Sequence, residues 1–290
     1  MPELPEVETV CQALADAASG QEITSVWTSG KVMRWPIPAD LEQKINGGTI
    51  TGIRRRGKYI LMDIVNHGRM PVTMLIHLGM SGSVRITPLL SSDKGDAGGE
   101  KAHDHLVLIT RGKASGPTRH HIVLNDPRRF GGIAICRAGD EGKHPLLRNM
   151  GIEPLGNAMN GPFLLKAMAG KKTSIKTALL DQRIIAGIGN IYASEALFRA
   201  GISPRRQARN ISAVRAEKLA HAIIDVLKDA IADGGTSLRD HVQPGGEIGY
   251  FVQRLDVYGR EGEDCHRCTG SIRMIRQAGR ASFYCSSCQR

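Results

Sequence analysis

The residues best suited to chemistry lie at the two ends of the chain. Near the C-terminus, Cys265-x-x-Cys268 and Cys285-x-x-Cys288 are separated by sixteen residues. Two thiolates at i and i+3 in a tight knuckle supply two corners of a tetrahedron, and the second pair supplies the other two. This spacing predicts one zinc ion held by four cysteines. With no coordination position left open, the metal is structural and not a Lewis acid. Paired disulfides are the alternative, and a chain without an export signal disfavours them. Arg267, Arg273, Arg276 and Arg280 lie between the pairs, with Phe283 and Tyr284 just before the third ligand. A small hairpin this rich in arginine suits a phosphate backbone. His266, inside the first knuckle, reads as a solvent-facing residue. Cys11 and Cys136 lie in apolar runs and read as core.

At the other end, Met1 precedes a small residue, so its removal is expected to free the secondary amine of Pro2. An α-amino group titrates near 7.7–8.0, which leaves a useful neutral, nucleophilic fraction at cellular pH. Glu3 beside it is a candidate general acid or base. Read alone, the pair equally well opens a helix, where proline suits the first turn and a carboxylate the positive end of the dipole.

The elements that position these ends follow from periodicity. Val7, Val10, Cys11, Leu14 and Ala18 recur at helical spacing, and Gly20 offers a stop. Short β-rich runs follow at 22–28, 49–54, 58–65, 71–78, 83–87, 104–110, 120–125 and 131–136, separated by turn clusters, which predicts a β-sandwich or barrel. Residues 91–100 read as a surface loop. Helices dominate later: one capped by Ser174, one over 191–200 stopped by Gly201, and one over 212–233 ended by Gly234-Gly235. The fold class is therefore α+β and multidomain. Its parts are an N-terminal β-sandwich over 1–136 with flanking helices, a linker over 137–160, a helical domain over 161–249 and a zinc module over 250–290.

Lys and Arg number 39 against 28 Asp and Glu, a net charge of +11, and the isoelectric point is near 9.6. Such an excess favours a polyanionic partner, because each neutralised phosphate releases counterions. No run approaches the ~18 apolar residues of a membrane span. The acidic start lacks the basic region of a secretory signal, so a cytoplasmic, nucleoid-associated protein is expected.

The string Pro2-Glu3-Leu4-Pro5-Glu6-Val7-Glu8-Thr9 resembles the start of the formamidopyrimidine-DNA glycosylase family. Further matches are Arg54–Tyr59 (RRRGKY), His77–Gly82 (HLGMSG), Asp126–Gly131 (DPRRFG), Lys171–Lys176 (KKTSIK), Gly187–Glu195 (GIGNIYASE) and Gly279–Cys285 (GRASFYC), in family order from residue 2 to 288. The resemblance implies a helix–two-turns–helix in the helical domain and a β-hairpin zinc finger at the C-terminus. It implies a base-excision repair enzyme that removes oxidised purines (8-oxoguanine, formamidopyrimidines) from duplex DNA and nicks the strand by β,δ-elimination. Pro2 is then the nucleophile that forms a Schiff base, Glu3 the proton donor, Lys58 the lysine of β-elimination, and Arg280 the arginine of δ-elimination and phosphate binding. Met80, Arg128 and Phe130 match the residues that fill the gap left by the flipped nucleotide. His103, Lys171 and Asn190 match DNA contacts, and the protein is expected to act as a monomer. Met80 and Phe130 by themselves read as core, but both sit in Gly-flanked turns, LGMSG and RRFGG, which favours exposed loop tips.

Three departures bear on the transfer. Thr269 intervenes before Gly270 in the first knuckle, which should alter the turn and not the metal. A long insertion over 88–101 precedes His103, and the loop 236–250, at the family's lesion-recognition position, has a composition of its own. Three other readings remain open. One is the sister endonuclease VIII group, which prefers oxidised pyrimidines. The others are a non-catalytic zinc-ribbon DNA binder and an N-terminal-proline tautomerase.

Overall fold

The computed structural model describes residues 2–66, 68–89, 99, 101–112, 119–236 and 251–290. Met1, most of the insertion before His103, and residues 237–250 of the recognition-loop position lie outside them. Backbone contacts divide the chain into two units: Met1–Arg148 with Gly234–Gly249, and Asn149–Asp233 with Tyr250–Arg290.

The first unit opens with α1 (Leu4–Ala18), followed by β1 (Glu22–Thr28), α2 (Leu41–Ile45), β2 (Thr49–Arg56), β3 (Tyr59–Val65), β4 (Val72–His77), β5 (Ser83–Leu89), β6 (Asp104–Arg111), β7 (Arg119–Asn125) and β8 (Gly132–Arg137). All eight strands form one antiparallel sheet in the order β5-β7-β6-β1-β2-β3-β4-β8. Alternate residues such as Ile60, Met62 and Ile64 turn to one face, paired across β4 with Ile76, Met74 and Val72. That face joins Val7, Val10 and Leu14 of α1 in a single core to which every strand contributes. Helix α1 touches β2, β3 and the edge strand β5. In a flat sheet β2 and β5 would be about 19 Å apart, more than the ~10–12 Å width of a helix. The sheet therefore curls over α1, and the layers of the expected sandwich are two halves of one continuous sheet.

The second unit contains α3 (Gly161–Met168), α4 (Ile175–Leu179), α5 (Asn190–Arg199), α6 (Ala213–Ala232) and the hairpin β9 (Ile272–Gln277)–β10 (Arg280–Cys285). Asn160, Ser174 and Ser212 cap α3, α4 and α6 through their side chains. Helix α6 packs on α3 and α5, and α5 packs on β10. Buried Glu195 of α5 accepts the amides of Asp256, Val257 and Tyr258 at 2.8–3.0 Å, pinning the segment that leads to the hairpin. Within the span that reads as a linker, Leu147 and Met159 are buried. Cys136 is only half-buried, and its thiol donates to the carbonyl of Thr73, its partner across the β4–β8 pairing.

Candidate active site

Pro2 and Glu3 are buried at the mouth of α1. Glu3 is the N-cap, and the Glu6 carboxylate reaches back to its amide at 2.8 Å, the return arm of a capping box. The other oxygen of Glu6 accepts the Thr236 amide at 2.8 Å, so one carboxylate holds both the N-terminal turn and the start of the 236–250 segment. Lys58 follows Gly57, whose φ of 56° closes the β2–β3 turn. Arg55 braces that turn by donating to the Gly57 carbonyl (3.0 Å) while its Nε pairs with Glu8 of α1 at 2.6 Å. The helix bearing the nucleophile candidate thus also sets the hairpin bearing Lys58.

Met80 and Phe130 are exposed, at 37% and 46%, as loop tips should be. The Arg128 guanidinium lies 4.8 Å from the Phe130 ring centre. The two loops touch backbone to backbone. A Cβ on Gly79 would strike the Phe130–Gly131 peptide, and one on Gly131 would strike the His77 carbonyl. His77 stands beneath the first loop. Its Nδ1 accepts the Gly79 amide at 3.0 Å, and its ring lies 4.8 Å from Tyr59. Burial, reinforced by Arg34 and Lys58, pushes its pKa down to about 4, so the neutral ring keeps Nδ1 as an acceptor. His103 is exposed and sits at φ 77°. The next residue, buried Asp104, is held by Asn125 (2.7 Å), the Lys101 amide (3.0 Å) and Arg85.

In the second unit, Lys171, Lys172, Asp181, Arg183 and Arg280 line an open groove of about 560 Å³. Four of these five are cations, and the one carboxylate, Asp181, is paired with Arg183. Arg280 follows the β9–β10 turn, where Ala278 and Gly279 both take positive φ, as a two-residue hairpin loop demands. The Ala281 carbonyl beside it accepts from Asn190 Nδ2 (3.0 Å) and from buried Lys176 (2.8 Å), which also reaches Ser282. Asn190 therefore braces the arginine-bearing strand from the first turn of α5. Among the described residues, the non-glycine residues at positive φ are His103, Arg129 and Ala278. Each is, or lies within two residues of, a candidate DNA contact, and strained backbone of this kind concentrates at functional sites.

The sulfur atoms of Cys265, Cys268, Cys285 and Cys288 lie within 4.8 Å of one another and can hold a metal ion. Their close pairs, at 3.5, 3.6 and 3.9 Å, bracket the ~3.8 Å edge of a tetrahedron with 2.3 Å zinc–sulfur bonds. Amides of Arg267 and Gly270 point at sulfurs of the first pair. Gly270, displaced by Thr269, still lies close enough that a Cβ would sit 3.4 Å from Cys268 Sγ. His266 is exposed and pairs with Asp256, not with the cluster. The Arg267 guanidinium lies 4.3 Å from the Phe198 ring centre, and Arg273, Arg276 and Arg280 are exposed on the hairpin.

Glu6, His77, Asp126, Lys176, Arg183 and Glu195 carry no signal of their own in the sequence. All but Arg183 lie inside the family motifs, but their partners are distant along the chain. Arg183 is an exposed cation distinguished only by the groove it lines.

The first unit is thus a curled antiparallel sheet with a buried Pro-Glu at the start of α1, and the second a helical unit with a cationic groove and a four-cysteine hairpin. Residues 1–133 match the model of the formamidopyrimidine-DNA glycosylase N-terminal domain, and residues 150–242 that of the formamidopyrimidine-DNA glycosylase H2TH domain. Formamidopyrimidine-DNA glycosylases of Jannaschia sp. (strain CCS1) and Ruegeria sp. (strain TM1040) are 48% and 47% identical over the whole of both chains. The crystal structure of the MutM (Fpg) protein from Thermus thermophilus aligns over 99% of this chain and 98% of its own, with a TM-score of 0.82 at 36% identity. A single-site mutant of Lactococcus lactis Fpg, in complex with DNA containing Fapy-dG, aligns over 100% of both chains with a TM-score of 0.85 at 31% identity. The chain belongs to the formamidopyrimidine-DNA glycosylase family. Its work is base-excision repair of DNA, as a bifunctional glycosylase and lyase.

Proposed function

We propose that this protein excises 8-oxoguanine and formamidopyrimidines from duplex DNA through a Schiff base on Pro2, then cleaves the abasic site by β,δ-elimination. The observation that carries this reading is the buried, capped Pro2-Glu3 start of α1, tied through Glu8 and Arg55 to the turn bearing Lys58. Once Met1 is removed, the Pro2 nitrogen attacks C1′ of the damaged nucleotide, and the base departs with the glycosidic electron pair and a proton. Glu3 donates a proton to the sugar oxygen as the ring opens to an iminium. That iminium acidifies the C2′ proton, which Lys58 helps to move, and the 3′ phosphate leaves. Loss of a further proton expels the 5′ phosphate, with Arg280 receiving its charge. Splitting one hard displacement into such steps is the advantage of a covalent nucleophile.

The target must leave the stack to reach Pro2. Met80, Arg128 and Phe130 fill the gap and meet the orphaned base, while His103, Lys171 and Asn190 hold the backbone. Cys265, Cys268, Cys285 and Cys288 hold one structural zinc, which keeps the Arg280 hairpin folded and does no chemistry. The protein acts as a monomer in the cytoplasm, at the nucleoid. The described helices include none long and apolar enough to cross a membrane.

Lactococcus lactis Fpg has also been solved with DNA containing an oxidised pyrimidine, so substrate class is best tested by direct competition. Excision of 8-oxoguanine opposite cytosine should exceed that of thymine glycol. Preferential release of thymine glycol would overturn the assignment.

A further inference from the structure

We propose that Asp126 is a positioning residue that locks the gap-filling loops and the His103 turn into one unit, so that they enter the duplex together. Asp126 is fully buried. Its Oδ1 accepts the Ser81 hydroxyl at 2.7 Å and the Arg128 amide at 3.2 Å. Its Oδ2 accepts the Gly131 amide at 2.8 Å. One carboxylate thus grips the residue after Met80, Arg128 itself and the residue after Phe130. Its backbone extends the grip. The Asp126 amide donates to the His103 carbonyl at 2.9 Å, and the Asp126 carbonyl accepts from the Arg129 amide at 3.2 Å. That carbonyl also accepts from His105 Nε2 at 3.1 Å, which requires the Nε2–H tautomer and leaves Nδ1 to accept the Ser29 hydroxyl at 2.9 Å.

The donors that meet the Asp126 carboxylate are two backbone amides and a hydroxyl, all neutral and all fixed by the loops themselves. An amide side chain in its place offers one acceptor oxygen and turns an N–H₂ against a donor. The loops carrying the exposed tips Met80 and Phe130 already meet at their backbones and at the β4–β8 pairing, and the carboxylate adds the side-chain link that couples Ser81, Arg128 and Gly131. With it, inserting one tip commits the other, along with Arg128 and the His103 turn.

The inference rests on the reading of Met80, Arg128 and Phe130 as gap-filling residues, and its test separates the two. Eversion matters most for a paired lesion and least for a site that has already lost its base. Excision of 8-oxoguanine opposite cytosine is measured in single turnover beside cleavage of a preformed abasic site, for the wild type, Asp126→Asn and Ser81→Ala. A 2-aminopurine beside the lesion reports unstacking. Asp126→Asn should slow duplex excision and the unstacking step by about 10- to 100-fold, the scale of one or two lost buried hydrogen bonds. Abasic-site cleavage should stay within about threefold, since the covalent chemistry at Pro2 is untouched. Ser81→Ala, which removes one link with little change of volume, should slow duplex excision by about fivefold with the same selectivity; it carries the test if the first variant does not fold. Parallel loss of both activities, or no loss in either variant, would overturn the positioning role. A wild type that cleaves abasic sites but releases no 8-oxoguanine would instead overturn the functional reading.

Discussion

In the proposed mechanism Pro2 and Lys58 divide the chemistry between them, and each has its own structural support. Pro2 sits at the mouth of α1, and Lys58 on a turn held by Arg55. Lys58→Ala should spare base release while slowing strand cleavage by about ten- to a hundredfold, the usual worth of a positioned proton-transfer group. Resolving free base from nicked strand checks this, and equal loss of both would contradict the assignment. His77 gives a second prediction. Its pKa falls from 6.5 to about 4, so between those values the unfolded chain binds the proton that the folded chain refuses. The stability this contributes is complete above pH 6.5 and is lost as pH falls toward 4, by at most about 3 kcal/mol. Protonation of Nδ1 would also turn a donor against the Gly79 amide. Urea unfolding at pH 7 and pH 4.5 should show a steeper acid loss in the wild type than in His77→Gln; identical slopes would contradict it.

The strands were largely legible as elements because turn clusters bound each run, and the first eight appear within a residue or two of where the pattern placed them. Curling of the sheet was not legible, since it depends on α1 meeting β2 and β5 together. Nor was helix α3, whose 8 residues are too short and too uniformly apolar to show a period, or α2, a single turn. The four-cysteine hairpin was legible from spacing alone, because metal geometry imposes that spacing. Its inner bracing by Lys176 and Asn190 was not, because those bonds join residues about 90 to 105 positions apart. If the proposed zinc supplies the hairpin's folding energy, a strong chelator should strip amide-exchange protection from β9 and β10 and weaken DNA binding while α1 and the sheet stay protected. Unchanged protection and affinity in the metal-free protein would count against this.

Over the whole molecule, the proposed site residues fall in both units: Pro2, Glu3, Lys58, Met80, His103, Arg128 and Phe130 in the first, Lys171, Asn190 and Arg280 in the second. Motif order along the chain made this distribution readable, whereas charge alone pointed only to a polyanion. The net charge of +11 and the cationic groove give a further expectation. Affinity for lesion-free duplex should fall steeply and log-linearly with salt, as counterion release requires; a flat salt profile in a binding titration would argue against phosphate-dominated contact. Every step of the proposed chemistry depends on Pro2 as the nucleophile, and its test is the most direct. The protein is incubated with an 8-oxoguanine duplex and borohydride, then digested and the adduct located by mass spectrometry. A reduced sugar–DNA adduct on the N-terminal peptide at Pro2, absent in Pro2→Gly and in chains that retain Met1, is the predicted result. Base release with no trapped complex, or an adduct mapped to a lysine, would contradict it.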